Sequence, residues 1–564
     1  MSNHMTAEAE ARVQGVIDSF KQCEKKAIYT DVSRTELMVS MADGVKLRTI
    51  ITRPSNDSAY PCILSRTCYP HDEDFYLELS NQYAMRGIAF VVQYCRGMGG
   101  SEGVWEPNVN ERADGKSTAD WLCSQKWVTC AGYWGSSYLA LTGWIIADIV
   151  PQKMKTMYLT LYGTDRHVSA YQDGLFRHDV LTAWTMAAAG FPIDADYIES
   201  CLYLPHVEVD EGLWGHRLEW YRKWVTSTDS TDEYWQTGVW KDLKDVPSKI
   251  KIPISMSEGW YDHHLGSAIK TWDMLSDESR VGSEFVIGPW NHWFEAPLED
   301  DDGKNYECND ILRAFEWFER ILVKKESPKQ RVSQYIVRGD YWVESKALNK
   351  SSKYAYFFLS DSKNGSGLVD AKSKIARGER RYTHNPENPI YSHGGETLLR
   401  SKEKAGSLLM PDANYRDDVI SFVSDSLCED LSVCGQIKVR LFVSSRAGDT
   451  AFAIKIIDEN KDGKGYFVRS GITTLAYRGH SETRQTYTPD ELVEIEIDTW
   501  DIGWLFKKGH KIRIDIQSSD FPQYNVHSNC AGVWSKQTKN VTAEQCVYFS
   551  ESHPSRIELP LQQS

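Results

Sequence analysis

The chain has 564 residues, which is too long for one ordinary hydrophobic core, so we expect two or three domains. Its hydrophobic fraction of 41% and charged fraction of 25% are typical of a globular protein in water. The net charge of −15 and the lack of a long basic run argue against nucleic acid or an anionic membrane as a partner. The longest apolar runs are too short for a membrane span.

The cysteines and the N-terminal segment indicate a cytoplasmic protein. The 12 cysteines show no CxxC motif and no zinc-ligand spacing, and a chain of this size does not need disulfides. Residues 1–26 are polar and lack the apolar core of a secretion signal. We therefore expect free thiols in a reducing compartment.

Strands and helices alternate in the first third of the chain. Buried strands are predicted at residues 61–64 and 88–92, and each is followed by a helical or glycine-rich stretch. This succession predicts a doubly wound parallel sheet. Tyr69 follows the first of these strands, at the carboxyl edge where α/β active sites form, although a surface tyrosine in a proline turn is the other interpretation. The loop 96–103 lacks the Gly-Lys-Ser/Thr ending of a phosphate-binding loop.

Residues 130–140 have the sequence Cys-Ala-Gly-Tyr-Trp-Gly-Ser-Ser-Tyr-Leu-Ala, which predicts a strand, a tight turn and the start of a helix. A nucleophile elbow has this arrangement, because small neighbours let a serine occupy a strained turn with its Oγ exposed. Leu139 stands where the last glycine of G-x-S-x-G is expected, so the match is partial. A Gly-Ser-Ser turn without function is the alternative.

Residues 165–246 interrupt the strand pattern with helical sequence, which we interpret as a cap over the cleft. Strands resume at 252–256 and 284–287, and they end near Asp262 and His292. Serine, aspartate and histidine in this chain order, each after a strand, are typical of an α/β-hydrolase triad. The cap contains six tryptophans that suit an apolar or aryl substrate: Trp184, Trp214, Trp220, Trp224, Trp235 and Trp240.

Beyond residue 331 the pattern becomes all-β, with turn residues between short strands, and predicts a sandwich or jelly roll. The predicted organisation is therefore an α/β-hydrolase domain in two parts, a helical cap inserted between them, and a C-terminal β-domain. Their expected bounds are 1–164 and 247–330 for the hydrolase domain, 165–246 for the cap, and 331–564 for the β-sandwich.

Several motifs resemble those of the cocaine esterase and X-Pro dipeptidyl-peptidase family of α/β-hydrolases. They are Met41-Ala-Asp-Gly-Val45, Gly135-Ser-Ser-Tyr138, Gly259-Trp-Tyr-Asp262, Ile287-Gly-Pro-Trp-Asn-His292 and Ser518-Ser-Asp-Phe-Pro522. The resemblance covers nearly the whole length and implies an α/β-hydrolase fold with a helical cap and a C-terminal jelly-roll domain. A residue other than glycine at the Leu139 position is normal for this group.

The resemblance implies a role for each matching residue. Ser137 would be the nucleophile, His292 the general base and acid, and Asp262 the group that orients the imidazole. The Tyr69 hydroxyl and the Tyr138 amide would form the oxyanion hole. This chemistry needs no metal and no organic cofactor.

We expect His264, Trp134 and Trp260 in the substrate pocket. Family members that hydrolyse α-amino acid esters carry carboxylates just after the triad aspartate, to hold the substrate ammonium. This chain has His263, His264 and Leu265 there. A neutral imidazole cannot supply the ion pair of a carboxylate, which argues against an amino-ester substrate.

The sequence thus predicts a serine carboxylesterase acting through an acyl-enzyme on a small-molecule ester. The alternative is an X-Pro dipeptidyl aminopeptidase or an amide acylase acting on a short peptide or amide, with Glu208, Asp210 and Glu211 of the cap as anchors for the amino terminus. A non-catalytic, hydrolase-like binding protein is the alternative of another class. The sequence does not decide whether the protein forms a homodimer. It also does not explain why Cys95 occupies a position where the family often has aspartate.

Overall fold

The computed structural model describes residues 7–362 and 365–563, so the first six residues of the polar N-terminal segment lie outside the described residues. The described chain forms two large β-sheets, and most of its helices surround the first sheet or lie between the sheets. Within these residues, each helix is too short or too polar to cross a lipid bilayer.

The first sheet is parallel at its centre and antiparallel at its edges. The strands of the N-terminal part are β1 Val32–Ser40, β2 Lys46–Pro54, β3 Tyr60–Thr67, β4 Ala89–Tyr94, β5 Val128–Ser136, β6 Met154–Thr160, β7 Tyr171–Gln172, β8 Leu175–Phe176, β9 Ile254–Gly259, β10 Glu284–Gly288, β11 Arg331–Ile336 and β12 Tyr341–Ser345. The sheet order is β1-β2-β4-β3-β5-β6-β9-β10-β11-β12, while β7 and β8 form a separate hairpin. The central strands β4, β9 and β10 are buried along their whole length, as strands covered on both faces must be.

Helices cover both faces of this sheet and build the cap. They are α1 Ala7–Gln22, α2 Glu73–Met85, α3 Glu111–Ser124, α4 Tyr138–Trp144, α5 Arg166–Ala170, α6 Leu181–Ala188, α7 Tyr197–Leu202, α8 Val209–Gly212, α9 Glu219–Thr226, α10 Glu233–Gln236, α11 Gly238–Asp245, α12 Leu265–Met274, α13 Asp277–Arg280 and α14 Asp310–Phe318. Helices α5 to α11 and the β7–β8 hairpin make up the insertion between β6 and β9. A predominantly helical insertion therefore follows the sixth strand of the sheet.

The second sheet is almost entirely antiparallel and belongs to the C-terminal part of the chain. Its strands are β13 Tyr354–Ser362, β14 Gly365–Val369, β15 Gly378–His384, β16 Ile420–Ser424, β17 Leu431–Ser445, β18 Ala451–Glu459, β19 Gly465–Thr474, β20 Val493–Phe506, β21 Lys511–Gln517, β22 Ala543–Phe549 and β23 Arg556–Pro560. Strand β17 pairs with β20, β22 and β23, so the sheet branches and folds over a common core. This architecture agrees with the expected jelly-roll domain.

Two strands that we expected in the C-terminal domain lie in the first sheet instead. Strand β11 pairs in parallel with β10, and β12 returns antiparallel to β11. The sequence of β11 is fully buried after its first residue, because it extends the hydrolase sheet and is covered on both faces. The second sheet begins at β13, and residues 331–345 extend the first sheet.

Candidate active site

Ser137 occupies a strained turn between β5 and α4. Its backbone angles are φ 54° and ψ −125°, a left-handed conformation that a non-glycine residue adopts at a cost of about 1–3 kcal/mol. A Cβ atom on Gly135 would lie 2.1 Å from the Leu139 carbonyl oxygen, so this position accepts glycine alone. Leu139 points into an apolar core and is 3% exposed, which explains why the second glycine of the motif is dispensable here.

His292 and Asp262 come from the loops after two neighbouring parallel strands, β10 and β9. The His292 Nε2 atom lies 2.9 Å from the Ser137 Oγ atom. The other ring nitrogen, Nδ1, lies 2.5 Å from the Asp262 Oδ2 atom. The three side chains therefore form a continuous hydrogen-bonded chain from serine to carboxylate, as the sequence predicts.

The Asp262 carboxylate is fully buried and stays ionised. Burial alone would raise its pKa, but the charge of His292 and the hydrogen bonds that the carboxylate accepts lower the pKa below the usual value. One of these bonds comes from the His264 amide at 2.7 Å. Glu258, also buried, behaves in the opposite way, since burial and the nearby Asp262 charge raise its pKa well above the usual value. One carboxyl group of this pair is thus charged and the other neutral.

His263 stacks on the triad imidazole. Its ring centroid lies 4.2 Å from that of His292, with an angle of 27° between the planes. Burial, together with the charge of His292, holds the pKa of His263 well below its usual value, so this ring is neutral. A neutral aromatic ring against His292 restricts its rotation without adding a competing charge.

Tyr69 and Tyr138, the predicted oxyanion-hole residues, line the same cavity as Ser137. Burial raises the pKa of the Tyr69 hydroxyl well above its usual value, so it remains protonated. This hydroxyl accepts a hydrogen bond of 2.9 Å from the Trp184 indole, which leaves its own proton free to donate. Tyr138 is the first residue of α4, where a backbone N–H has no partner within the helix.

Glu111 contacts Tyr138 and stabilises the part of the site that contains the proposed oxyanion hole. Its carboxylate accepts a hydrogen bond of 3.0 Å from the Tyr138 hydroxyl and lies 2.8 Å from Nη1 of the buried Arg66. The Cys95 thiol also lies 3.5 Å from this carboxylate. A carboxylate from α3 therefore sits beside Cys95 and balances the buried arginine.

The triad opens into a cavity of about 320 Å³, near the lower end of the range for small-molecule sites. His264 lines it, as expected, with its Nδ1 atom 3.0 Å from the Ser169 hydroxyl. Trp134 and Trp260 do not line it, which corrects our expectation. Trp134 packs against Phe75 and Phe90 behind the sheet, and the fully buried Trp260 donates its indole N–H to the Tyr335 carbonyl. Each of the two tryptophans is part of a hydrophobic core, and neither is among the described residues that line the cavity.

The cap contributes residues that the sequence did not single out for the site. Arg166 and Val180 line the cavity together with Trp184, the one member of the six cap tryptophans that does so among the described residues. Four of the others are almost completely buried within the cap: Trp214, Trp224, Trp235 and Trp240. The aromatic content of the cap therefore builds its own core more than it builds the substrate pocket.

Two groups of described residues bring possible metal ligands within 4.8 Å of one another. One is Asp262, His263 and His292, and the other is His480, Glu496 and Asp498 in the C-terminal domain. In the first group, two members are already hydrogen-bonded to each other as part of the triad. The arrangement around Ser137 thus suits nucleophilic attack by the serine, with His292 as the proton acceptor.

Comparison with known families identifies the two parts of the chain. The profile of the X-Pro dipeptidyl-peptidase (S15) family matches residues 43–293. The profile of the X-Pro dipeptidyl-peptidase C-terminal non-catalytic domain matches residues 322–558. Among curated relatives, the cocaine esterase of Rhodococcus sp. (strain MB1 Bresler) is 27% identical over 572 aligned positions, which cover 93% of this chain and 98% of the relative.

Solved structures share the fold over nearly the whole length. An aminopeptidase from the marine sediment archaeon Thaumarchaeota archaeon superposes with a TM-score of 0.79 at 20% identity, covering 96% of this chain and 98% of that one. An α-amino acid ester hydrolase superposes with a TM-score of 0.78 at 22% identity, covering 95% of this chain and 98% of that one. The expected α/β-hydrolase fold with a C-terminal β-domain is confirmed, and the chain is a serine hydrolase whose two parts match the catalytic and the C-terminal profiles of X-Pro dipeptidyl-peptidases.

Proposed function

We propose that the chain is a carboxylesterase in which Ser137 is the nucleophile, His292 the general base and acid, and Asp262 the orienting carboxylate. The observation that carries this proposal is the hydrogen-bonded chain between them, with Ser137 Oγ 2.9 Å from His292 Nε2 and His292 Nδ1 2.5 Å from Asp262 Oδ2. A serine hydroxyl is a weak nucleophile until an adjacent base accepts its proton.

The reaction follows from these contacts. His292 Nε2 takes the proton from Ser137 as Oγ attacks the ester carbonyl, and the buried Asp262 carboxylate stabilises the imidazolium that forms. The imidazolium then gives the proton to the leaving alcohol, which departs and leaves an acyl-enzyme. Water, deprotonated by His292, attacks the acyl-enzyme, releases the acid and restores the serine.

The tetrahedral oxyanion requires donors that are in place before the reaction. We assign this role to the Tyr69 hydroxyl and the Tyr138 amide. The Trp184 indole N–H donates a hydrogen bond to a lone pair of the Tyr69 hydroxyl oxygen, and the Trp184 ring stacks on the Tyr138 ring with 10° between the planes. One cap residue thus contacts both residues that supply the proposed donors.

An ester is a better substrate for this cavity than a peptide with a free amino terminus. Such a peptide needs an unpaired acid near the triad. Asp210 is 0% exposed and its carboxylate accepts hydrogen bonds from Arg222 at 2.7 and 2.8 Å. Glu211 also pairs with Arg222, and neither these two residues nor Glu208 is among the described residues that line the cavity.

The X-Pro dipeptidyl-peptidase activity remains the second candidate, because the matching family profile carries that description. Asp72 is an acidic residue on the cavity wall, but its carboxylate already pairs with Arg12. A peptide substrate would have to displace this arginine from Asp72. Rates on the two substrate types therefore separate the candidates.

The deciding experiment compares 4-nitrophenyl esters of graded acyl length with alanyl-prolyl-4-nitroanilide. Ser137→Ala should remove ester turnover, and Ser136→Ala, the adjacent hydroxyl outside the triad, should retain it. Labelling by a fluorophosphonate should follow the same pattern. A preference for the prolyl anilide would replace the esterase by the peptidase, and equal rates for wild type and Ser137→Ala would reject Ser137 as the nucleophile.

We also propose a cytoplasmic location without nucleic-acid or membrane partners. All 12 cysteines are free in the structure, which suits a reducing compartment. Fractionation of the native cell, with the chain followed by antibody, tests the location. Recovery in a secreted or membrane fraction would contradict it.

A further inference from the structure

Arg166 is a buried cation in the wall of the cavity that contains Ser137. It is the first residue of α5 and is 8% exposed. The rings of Trp224 and Trp240 lie 4.9 and 5.8 Å from its guanidinium carbon. Its buried Nε atom has no hydrogen-bond partner, and none of the described carboxylates forms a salt bridge with it. The side chain is therefore held in place by aromatic rings and not by an acid.

Four other buried arginines have a carboxylate partner, while the buried Arg86 donates to carbonyl and amide oxygens. Arg66 pairs with Glu111, and the same holds for three more pairs: Arg177 with Asp179, Arg469 with Glu396, and Arg513 with Asp515. Burial of a charge without a partner costs free energy. Cation–π contacts offset part of that cost and engage the face of the guanidinium, so they do not use its in-plane N–H donors. Arg166 thus lines the cavity as a cation without a carboxylate partner among the described residues.

The neighbours of Arg166 make this wall suitable for an anion. Tyr162 and His264 line it with ring centroids 4.5 Å apart. Burial, then the charges of His292 and Arg166, hold the pKa of His264 well below its usual value, so this imidazole is neutral. Asp72, the acidic group among the described residues that line the cavity, is already paired with Arg12. The free formal charge of the wall is therefore positive.

We propose that Arg166 binds a carboxylate of the substrate, so that the preferred esters carry a negative charge, as the half-esters of short dicarboxylic acids do. This inference rests on the proposed esterase function and names its substrate class. A planar guanidinium with two adjacent donors matches a carboxylate in geometry and charge. The cavity volume of about 320 Å³ limits the substrate to a short chain.

The test measures hydrolysis of monomethyl glutarate against methyl pentanoate, which has an acyl chain of the same length without the charge. A second pair places the charge in the alcohol, with acetoxyacetate compared with propyl acetate. Release of acid is followed by pH-stat titration. We expect kcat/KM to be about 10- to 100-fold higher for the charged member of one pair, the range that a charge-assisted hydrogen bond supplies, and the responding pair shows which side of the ester Arg166 contacts.

Three variants test whether the preference for charged over neutral esters depends on the Arg166 guanidinium. Arg166→Met keeps much of the contact with the tryptophans and should erase the ratio between charged and neutral ester. Arg166→Lys should keep part of it, because the charge remains and the fork is lost. Arg112→Gln is the control, since Arg112 pairs with Asp148 and is not among the described residues that line the cavity, and it should retain the ratio. Thermal unfolding of each variant checks that the cap is intact.

Binding separates this inference from the esterase proposal. Monomethyl glutarate is titrated by calorimetry into Ser137→Ala, and into the same protein with Arg166→Met. Binding at least tenfold tighter than that of methyl pentanoate, lost with Arg166→Met, supports the inference even where no ester is turned over. Acetoxyacetate and propyl acetate are titrated in the same way, and equal affinities together with equal kcat/KM values within both pairs of esters would overturn the inference, while leaving the esterase proposal in place.

Discussion

Tyr69 shows how one side chain of the cap can prepare a catalytic group of the hydrolase domain. Its hydroxyl can donate one hydrogen bond, and the Trp184 indole occupies an acceptor position of the same oxygen at 2.9 Å. The proton is then free to point towards the site where the oxyanion develops. Because the donor is oriented before the substrate arrives, little reorganisation is needed in the transition state.

Tyr69→Phe removes this donor and keeps the ring. We expect kcat to fall about 10²- to 10³-fold, which corresponds to roughly 2.7–4 kcal/mol of transition-state stabilisation. Steady-state kinetics on a 4-nitrophenyl ester measure the change. A decrease of less than about threefold, with an unchanged thermal midpoint, would show that Tyr69 is not an oxyanion donor.

Trp184→Phe removes the indole N–H while an aromatic ring still faces Tyr138. The loss of one positioning hydrogen bond, about 1 kcal/mol, predicts a decrease of about fivefold in kcat with little change in KM. Trp220→Phe is the control, because the Trp220 ring lies 6.3 Å from the Trp184 ring and Trp220 is not the residue that donates to Tyr69. Equal effects of the two substitutions would indicate a general loosening of the cap.

Some residues of the candidate site could be predicted from the sequence and others could not. Ser137, Asp262 and His292 could be predicted because each follows a strand and carries a local motif. Trp184 and Arg166 could not, since their positions depend on how the cap folds back, and Trp184 meets Tyr69 across 115 positions of the chain. The prediction that Trp134 and Trp260 line the pocket was wrong for a different reason. A position near a catalytic residue in the sequence does not decide whether a ring faces the cavity or the core.

At the scale of elements, the ends of β9 and β10 are joined closely enough to set the distance between Asp262 and His292. The Trp260 amide donates to the Gly288 carbonyl at 2.7 Å, and the Tyr261 amide donates to the Trp290 carbonyl at 3.0 Å. A Cβ atom on Gly259 would lie 1.9 Å from the Trp290 carbonyl oxygen. This glycine is thus required by a close approach of two backbones.

Gly259→Ala should therefore push the two loops apart. We expect a loss of about 1–3 kcal/mol in unfolding free energy and a decrease in kcat, since the contact between Asp262 and His292 depends on the same loops. Gly15→Ala is the control, because no atom lies within 4 Å of the added Cβ in helix α1 and alanine favours a helix. Denaturant unfolding and ester turnover measure both effects, and a Gly259→Ala protein with wild-type stability would contradict the argument.

The order of strands and helices could be predicted from the sequence more readily than the sheet to which each strand belongs. The alternating pattern was sufficient for a parallel sheet, since each buried strand is a continuous apolar run. Residues 331–345 lie within the expected C-terminal domain, yet they form strands β11 and β12 of the first sheet, because a strand pattern does not say which neighbour a strand pairs with. That information lies in the parallel register of Phe285 opposite Val332, more than forty residues apart in the chain.

At the scale of the whole molecule, the cap is held between the hydrolase sheet and the C-terminal domain. The Phe176 amide of the cap donates to the Asn525 side chain at 2.7 Å, and Arg177 stacks on Trp500 with its guanidinium carbon 4.5 Å from the ring centroid. The C-terminal domain therefore contacts the cap, whose helices α5 and α6 supply Arg166 and Trp184. A domain without catalytic residues can in this way influence the substrate pocket.

One contact of this interface responds to pH. His480, in the loop after β19, has its Nδ1 atom 3.1 Å from Asp173 of the cap hairpin, and its Nε2 atom 3.6 and 3.5 Å from Glu496 and Asp498. Lys438 faces the last two carboxylates as well, at 3.4 and 3.7 Å. The hydrogen bond to Asp173, opposed by partial burial and aided by the charges of the three carboxylates, raises the pKa of His480 to about 9.

His480→Gln tests this contact through the pH dependence of stability. Because the pKa of His480 is higher in the folded protein than the usual histidine value of 6.5, its stabilising effect is complete below about pH 6.5 and is lost as the pH rises through about 9. We expect the thermal midpoint of wild type to exceed that of His480→Gln near neutral pH, and the difference to close by about pH 10. His553→Gln, which removes a histidine bonded to serine hydroxyls and not to carboxylates, should show no such trend. A difference that stays constant across this range would show that His480 contributes packing and not charge.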